Sequence, residues 1–334
     1  MTHAMPAQPL PPATTAYPGA LGGGILIHTA EPLSPGLRAD IAAIIDGTER
    51  ALSRFRPDSL VARIAREPQG GRFDFPAWAA PLFAYCTALN RATGGRFDPC
   101  IGADLIRLGY SASFSCAAGP TDVAPPRLAR HTWTGKVECE GATLVTHGPV
   151  QLDFGACGKG LCIDRIANAL AVLLGPTPCM VDAGGDLSLR GLNGPIAIAL
   201  EDPHDPDLAV GVTHIADASL CASAPSRRNW RDAAGNRVHH LLNALTGAPA
   251  DGVAATWVSV PSDATPYPTM VADGVATALF VTPPDRLATW FPGFDCLVLD
   301  GSGHATRSAG FAADLFTTTP DGTPITSAGP AFRR

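Results

Sequence analysis

Apolar residues recur at helical spacing in four stretches of the chain, with short strand-like runs between them. Ser34-Pro35 places an N-cap before a proline at the first helical position, and Leu37, Ile41, Ile44, Ile45 and Leu52 then share one face, predicting a helix to about Arg54. Phe75, Trp78, Leu82, Tyr85 and Leu89 repeat the pattern over 75–92, closed by Gly94-Gly95. Leu161, Ile166, Leu170 and Leu173 predict a third helix after Gly-Ala-Cys-Gly-Lys-Gly, and a fourth is expected over 269–280. Short apolar runs at 21–29, 178–181, 196–200, 209–215 and 253–260, separated by turn residues, read as strands. No internal repeat or heptad pattern is evident, and the mixture lacks regular βαβ alternation, so the class is α+β.

Composition narrows the picture. The chain has 334 residues, with 24 Lys and Arg against 30 Asp and Glu, so its formal net charge of −6 leaves no basic footprint for nucleic acid. Glycine (35) and proline (32) are spread along the chain and imply many turns. No apolar run reaches the roughly 18 residues of a membrane span. Residues 1–20 hold five prolines and neither Lys nor Arg, so they are expected to be a disordered tail and not a secretory signal. Residues 21–334 then form one domain, with a possible internal boundary in the Pro, Ala and Ser-rich stretch 112–127. The nine cysteines are odd in number and none are spaced as C-x-x-C, which favours reduced thiols and a cytoplasmic location.

Several segments could carry chemistry. In QLDFGACGKGLCID a strand ends at Asp153, glycines allow a tight turn, and Lys159 opens a helix. Exposed amides, a helix dipole and a lysine make a phosphate cradle, although glycines in such a turn also serve packing alone. Asp273 and Thr277 lie four apart on the fourth predicted helix, so a carboxylate and a hydroxyl share a face and could serve Mg²⁺; the plain alternative is a solvated Asp and a Thr bonded to its own helix. The run 223–247 brings arginines, a tryptophan and the pair His239-His240 before LLNALTG. Gly95-Arg96-Phe97-Asp98 reads as a helix C-cap and turn, AGGD as a hairpin turn with an exposed Asp186, and 300–306 as a further hairpin through Asp300-Gly301.

Taken together, the segments SRFRPDS, GRFDP, DFGACGKGLCID, AGGD, HLLNALTG and ADGVATA resemble, in order and spacing, the motifs of the ApbE family, the FAD:protein FMN transferases, over about 21–281. The resemblance implies an ApbE-like fold of mixed and antiparallel sheets with packed helices. It also implies Mg²⁺-dependent transfer of FMN from FAD to a Ser or Thr hydroxyl of an acceptor flavoprotein, with release of AMP. On this likeness Asp153 and Lys159 bind FAD, joined by Phe55, by the turn Arg96, Phe97 and Asp98, and by Asn243. The carbonyl of Ala156 completes a Mg²⁺ site with Asp273 and Thr277, and His240 is the catalytic residue. The implied partners are FAD and the acceptor flavoprotein.

Two segments depart from the family pattern. H-I-I-D-P is replaced by His240-Leu241-Leu242-Asn243-Ala244, and T-S-G by Ala222-Ser223-Ala224. Asn243 accepts a hydrogen bond but is not a carboxylate. The same donor site would also suit an FAD pyrophosphatase yielding FMN and AMP, or an impaired FAD-binding or carrier protein. Asp300, Gly301, Ala305 and Thr306 partly match the family's acceptor pattern, yet the Asp-Gly turn is the simpler account.

Overall fold

The computed structural model describes residues 8–110, 132–232, 235–316 and, for the backbone, 326–327. The stretch 112–127, expected as a possible boundary, and Cys116 lie outside the described residues.

The main sheet has nine strands among the described residues, and their order in space is their order in the chain. They are β1 (Ala13–Tyr17), β2 (Ile25–Thr29), β3 (Cys179–Asp182), β4 (Leu187–Arg190), β5 (Ala218–Ser223), β6 (Val253–Pro261), β7 (Asp295–Asp300), β8 (His304–Arg307) and β9 (Thr326–Ser327). Every neighbouring pair is antiparallel except β8 and β9. Smaller sheets flank it: Gly71–Asp74 with Thr143–Thr146 and Val137–Glu140, and Ala313–Leu315 with Ala209–Ile215 and Ile196–Glu201. The expected α+β class with antiparallel sheets is what the chain adopts.

One correction falls at the N-terminus. The expected tail does not extend through residue 20, because Ala13–Tyr17 pairs with Ile25–Thr29 along its whole length. The prolines that argued for disorder flank this segment at Pro12 and Pro18 without interrupting it, and its two threonines suit a strand.

Four longer helices cover the sheet. Helix α1 (Pro35–Leu52) begins where Ser34 Oγ accepts the Leu37 N–H. Helix α2 (Ala80–Ala92) starts later than the expected residue 75, after a 3₁₀ turn at Ala77–Ala79, because Pro81 has no N–H to extend the ladder backwards. Helices α3 (Gly158–Leu174) and α4 (Pro268–Ala278) agree with expectation to within a few residues. Leu161, Ile166 and Leu170 of α3 are buried, but Leu173 is exposed with the rest of the last turn, which runs beyond the packed face. The core under α1 and α3 joins Ile41, Ile45, Ile163 and Ile166 to Ile25, Ile27 and Val181 of the sheet. No described helix is long and apolar enough to cross a membrane.

The approach of α3 to α4 positions the site. A Cβ on Gly160 would stand 2.5 Å from the Thr269 carbonyl oxygen, so only glycine allows this contact. Two buried carboxylates tie the pair. Asp164 of α3 accepts the Thr269 and Met270 N–H groups at 3.0 and 2.8 Å, and Asp273 of α4 accepts the Gly160 N–H at 3.0 Å. Each helix start thus has donors satisfied by the other helix.

Candidate active site

Where α3 begins, the chain turns out of Leu152 through Asp153–Cys157, held by the Asp153 N–H on the Pro99 carbonyl. Asp153 spends both oxygens locally: Oδ1 accepts the Gly155 N–H at 2.7 Å, and Oδ2 meets Arg54 Nε at 2.5 Å. Arg54 was not singled out by sequence reasoning, since nothing in SRFRPDS marks it as the partner of a residue 99 positions away. Its guanidinium lies over the rings of Phe55 and Tyr110, 4.2 and 4.7 Å from their centroids, and Tyr110 stacks on Trp230.

Lys159 follows in the first turn of α3 and is paired with Asp186. This corrects the reading of Asp186 as an exposed turn residue. AGGD does form the β3–β4 turn, with Gly184 and Gly185 at positive φ, but Asp186 is only 1 % exposed. Its Oδ1 also accepts the Ala222 N–H. A carboxylate so deep in the protein is tolerable because a lysine meets it.

Beside Lys159 stands Asp273, 5 % exposed and therefore not the solvated helix residue of the plain alternative. Burial pushes its carboxyl up to about 6, against the pull of Lys159, the Gly160 N–H and Arg228. A folded value above the ordinary 3.8 means that the native state holds the proton more tightly. The stability penalty therefore appears as pH rises from about 4 to about 6.5. In EDTA, Asp273→Asn is expected to gain about 1–3 kcal/mol of stability over the wild type across that window, measured by urea unfolding at both ends. A gap unchanged by pH contradicts the assignment. Asp164, also pushed up by burial to about 6, is common to both proteins and cancels.

These groups open into one cleft of about 450 Å³. Of the residues expected from sequence, Phe55, Phe97, Asp98, Asp153, Ala156, Lys159, His240, Asp273 and Thr277 all line it. Arg96 and Asn243 do not. Arg96 turns Nη1 to the Thr93 carbonyl and accepts the Ala244 N–H on its own carbonyl. Asn243 closes a turn, its Oδ1 taking the Leu245 N–H. Asp98 borders the cleft but is occupied structurally, accepting the Cys100 and Trp133 N–H groups and Asn90 Nδ2. A second cavity of about 500 Å³ adjoins the cleft and shares Phe55, Tyr110, Asp153, Lys159 and Arg228 with it.

The oxygen donors of Asp273 and Thr277, with the Ala156 carbonyl on the loop lining the same cleft, fit a hard divalent cation. Among the described residues no three His, Cys, Asp or Glu side chains gather as a metal cluster. A cation here would have one protein carboxylate and would complete its shell from neutral oxygens and substrate. Five acidic and three basic side chains line the cleft, so a polyanionic ligand needs additional positive charge.

His240 and His239 diverge. His240 lines the cleft, with Nδ1 3.4 Å from the Arg228 carbonyl. Since a carbonyl only accepts, this contact puts the proton on Nδ1 and leaves Nε2 basic. Burial, then the Arg228 charge, pull its imidazole down to about 3, so it is neutral at physiological pH. His239 ends the strand Arg237–His239, pairs with Asn229 and is outside the cleft.

Known proteins are similar to this chain in sequence and in fold. The ApbE family profile matches residues 21–297. An FAD:protein FMN transferase of Haemophilus influenzae is 27 % identical over 82 % of this chain and 79 % of its own length, and one of Treponema pallidum 28 % over 81 % and 79 %. Among solved structures, the ApbE protein of Thermotoga maritima superposes with a TM-score of 0.73 at 21 % identity, covering 90 % of this chain and 96 % of its own. The flavin transferase ApbE of Vibrio cholerae gives 0.69 at 21 %, covering 91 % and 96 %.

Proposed function

The chain belongs to the ApbE family, and on that premise we propose that it is an FAD:protein FMN transferase, moving FMN from FAD to a Ser or Thr hydroxyl of an acceptor flavoprotein and releasing AMP. The observation that carries this reading is the convergence of the Asp153–Lys159 loop, Asp273, Thr277 and His240 on one cleft. Two joined cavities suit the two halves of a dinucleotide, with the pyrophosphate where they meet at Lys159. Phe55, Tyr110 and Trp230 offer ring surfaces beside that junction.

Asp273, Thr277 and the Ala156 carbonyl would hold Mg²⁺, which when bound neutralises charge on the pyrophosphate oxygens. The chain's own residues do the rest. Arg54 and the Gly155 N–H fix Asp153, which sets the course of the loop into α3. Lys159, anchored by Asp186, presents its ammonium at the junction. The Nε2 of His240 takes the proton of the incoming hydroxyl, whose oxygen bonds to the FMN-side phosphorus as the bridging P–O bond breaks. AMP departs with the bridging oxygen and its electron pair. The nucleophile comes from the acceptor, so the chain supplies none. Arg96 and Asn243, which do not line the cleft, support the turns flanking it. The free cysteines support a reducing, cytoplasmic setting.

The test is chromatography of FAD incubated with the protein, Mg²⁺ and a candidate acceptor flavoprotein. AMP is expected with Mg²⁺ and not with EDTA; intact FAD in both overturns the reading.

A further inference from the structure

The basic residues around the two cavities are Arg54, Arg56, Lys159, Arg227 and Arg228. Four of them already have an anionic partner. Arg54 is paired with Asp153 at 2.5 Å, Arg56 with Asp46 and Asp58 at 2.8 Å, Arg227 with Glu201 at 2.5 Å, and Lys159 with buried Asp186. Of these five, only Arg228 has no ion pair and no side-chain hydrogen bond among the described residues, though it borders both cavities.

We propose that Arg228 is the catalytic cation of this site, its guanidinium gripping the pyrophosphate of FAD at the junction of the cavities and stabilising the phosphate charge as AMP leaves. The proposal rests on the flavin-transferase reading and adds the residue that meets the charge. A guanidinium offers paired N–H donors that match phosphate oxygens. Lys159 keeps much of its charge committed to Asp186, so it cannot replace Arg228.

The segment that carries Arg228 is preorganised. Its N–H donates to the Pro225 carbonyl at 3.1 Å, and Asn229 Nδ2 donates to the Pro225 and Ser226 carbonyls at 3.1 and 2.7 Å. Two residues on, Trp230 Nε1 donates to the Leu108 carbonyl at 2.6 Å. A fixed backbone leaves only the exposed side chain to order on binding. Arg228 lines the same cleft as His240 and Asp273, and its charge lowers the basicity of His240. An anion there would relieve that pressure on His240 and raise its basicity when the proton must move.

The step balances as written above: the acceptor O–P bond forms, the bridging P–O bond breaks, His240 takes the proton, and AMP leaves with the electron pair opposite Arg228.

Two measurements on the full chain with Mg²⁺ test the proposal: calorimetric binding of ADP and of adenosine, and AMP release from FAD in the presence of an acceptor flavoprotein, for wild type, Arg228→Lys and Arg228→Ala. Arg228→Ala is expected to weaken ADP binding roughly tenfold or more and leave adenosine binding unchanged. AMP release should fall by about 100-fold, with Arg228→Lys intermediate. Equal weakening of ADP and adenosine means a disturbed loop and overturns the proposal, as does wild-type behaviour in Arg228→Ala. If the wild type binds ADP through Arg228 yet releases no AMP from FAD with the acceptor present, the transferase reading falls while the pyrophosphate contact stands. If the wild type does not bind ADP, both fall.

Discussion

Asp273→Asn is expected to lower Mg²⁺-dependent AMP release in the presence of acceptor by about 100-fold or more, the scale on which removal of one electrostatic stabiliser acts, and to raise the Mg²⁺ concentration needed for any residual activity. Asn keeps the shape and an oxygen for the Gly160 N–H, so the α3–α4 contact at 3.0 Å survives. What it removes is the negative charge. An Ala replacement would instead strand a buried N–H and confuse stability with activity. In the free protein burial pushes this carboxyl up to about 6, and a bound cation would return it to the ionised form. Full activity of Asp273→Asn, at unchanged Mg²⁺ dependence, contradicts the proposed metal site.

The second large effect concerns His240. His240→Ala is expected to lose about 100-fold or more in AMP release in the presence of acceptor, the usual contribution of a general base. His239→Ala should cost far less. The distinction follows from the backbone: successive side chains in an extended segment point to opposite sides, and only His240 borders the cleft. His239 instead receives the Leu241 N–H on Nδ1 and pairs across to Asn229. Steady-state rates of the two variants decide it, and equal losses, or a worse defect at 239, sink the assignment.

Much of this molecule was legible in the sequence, for reasons that differ from part to part. Helices α1, α3 and α4 were readable because each must bury a stripe, and the residues of that stripe recur at the helical period. The glycines around Lys159 and the Asp273-x-x-x-Thr277 spacing pointed to the cleft because such chemistry is compact in sequence. The start of α2 differs from the sequence pattern because apolar spacing continues through Phe75 and Trp78 although Pro81 ends the ladder. Ala13–Tyr17 was hidden by composition, since pairing with Ile25–Thr29 is a tertiary fact.

The site's electrostatics were the least legible part. Arg54 reaches Asp153 and Lys159 reaches Asp186 across long sequence separations, and no local pattern announces either pair. AGGD alone reads as an ordinary hairpin with Asp186 at the surface, because nothing local announces its partner Lys159. Arg228 was visible only as one of several arginines; it stands out once its neighbours' charges are seen to be matched.

The central claim is transfer, and intact-protein mass spectrometry of a candidate acceptor flavoprotein, incubated with this protein, FAD and Mg²⁺, tests it most directly. The account predicts that the acceptor gains one FMN through a phosphoester on Ser or Thr while an equal amount of AMP appears. An unmodified acceptor beside accumulating free FMN and AMP would contradict it.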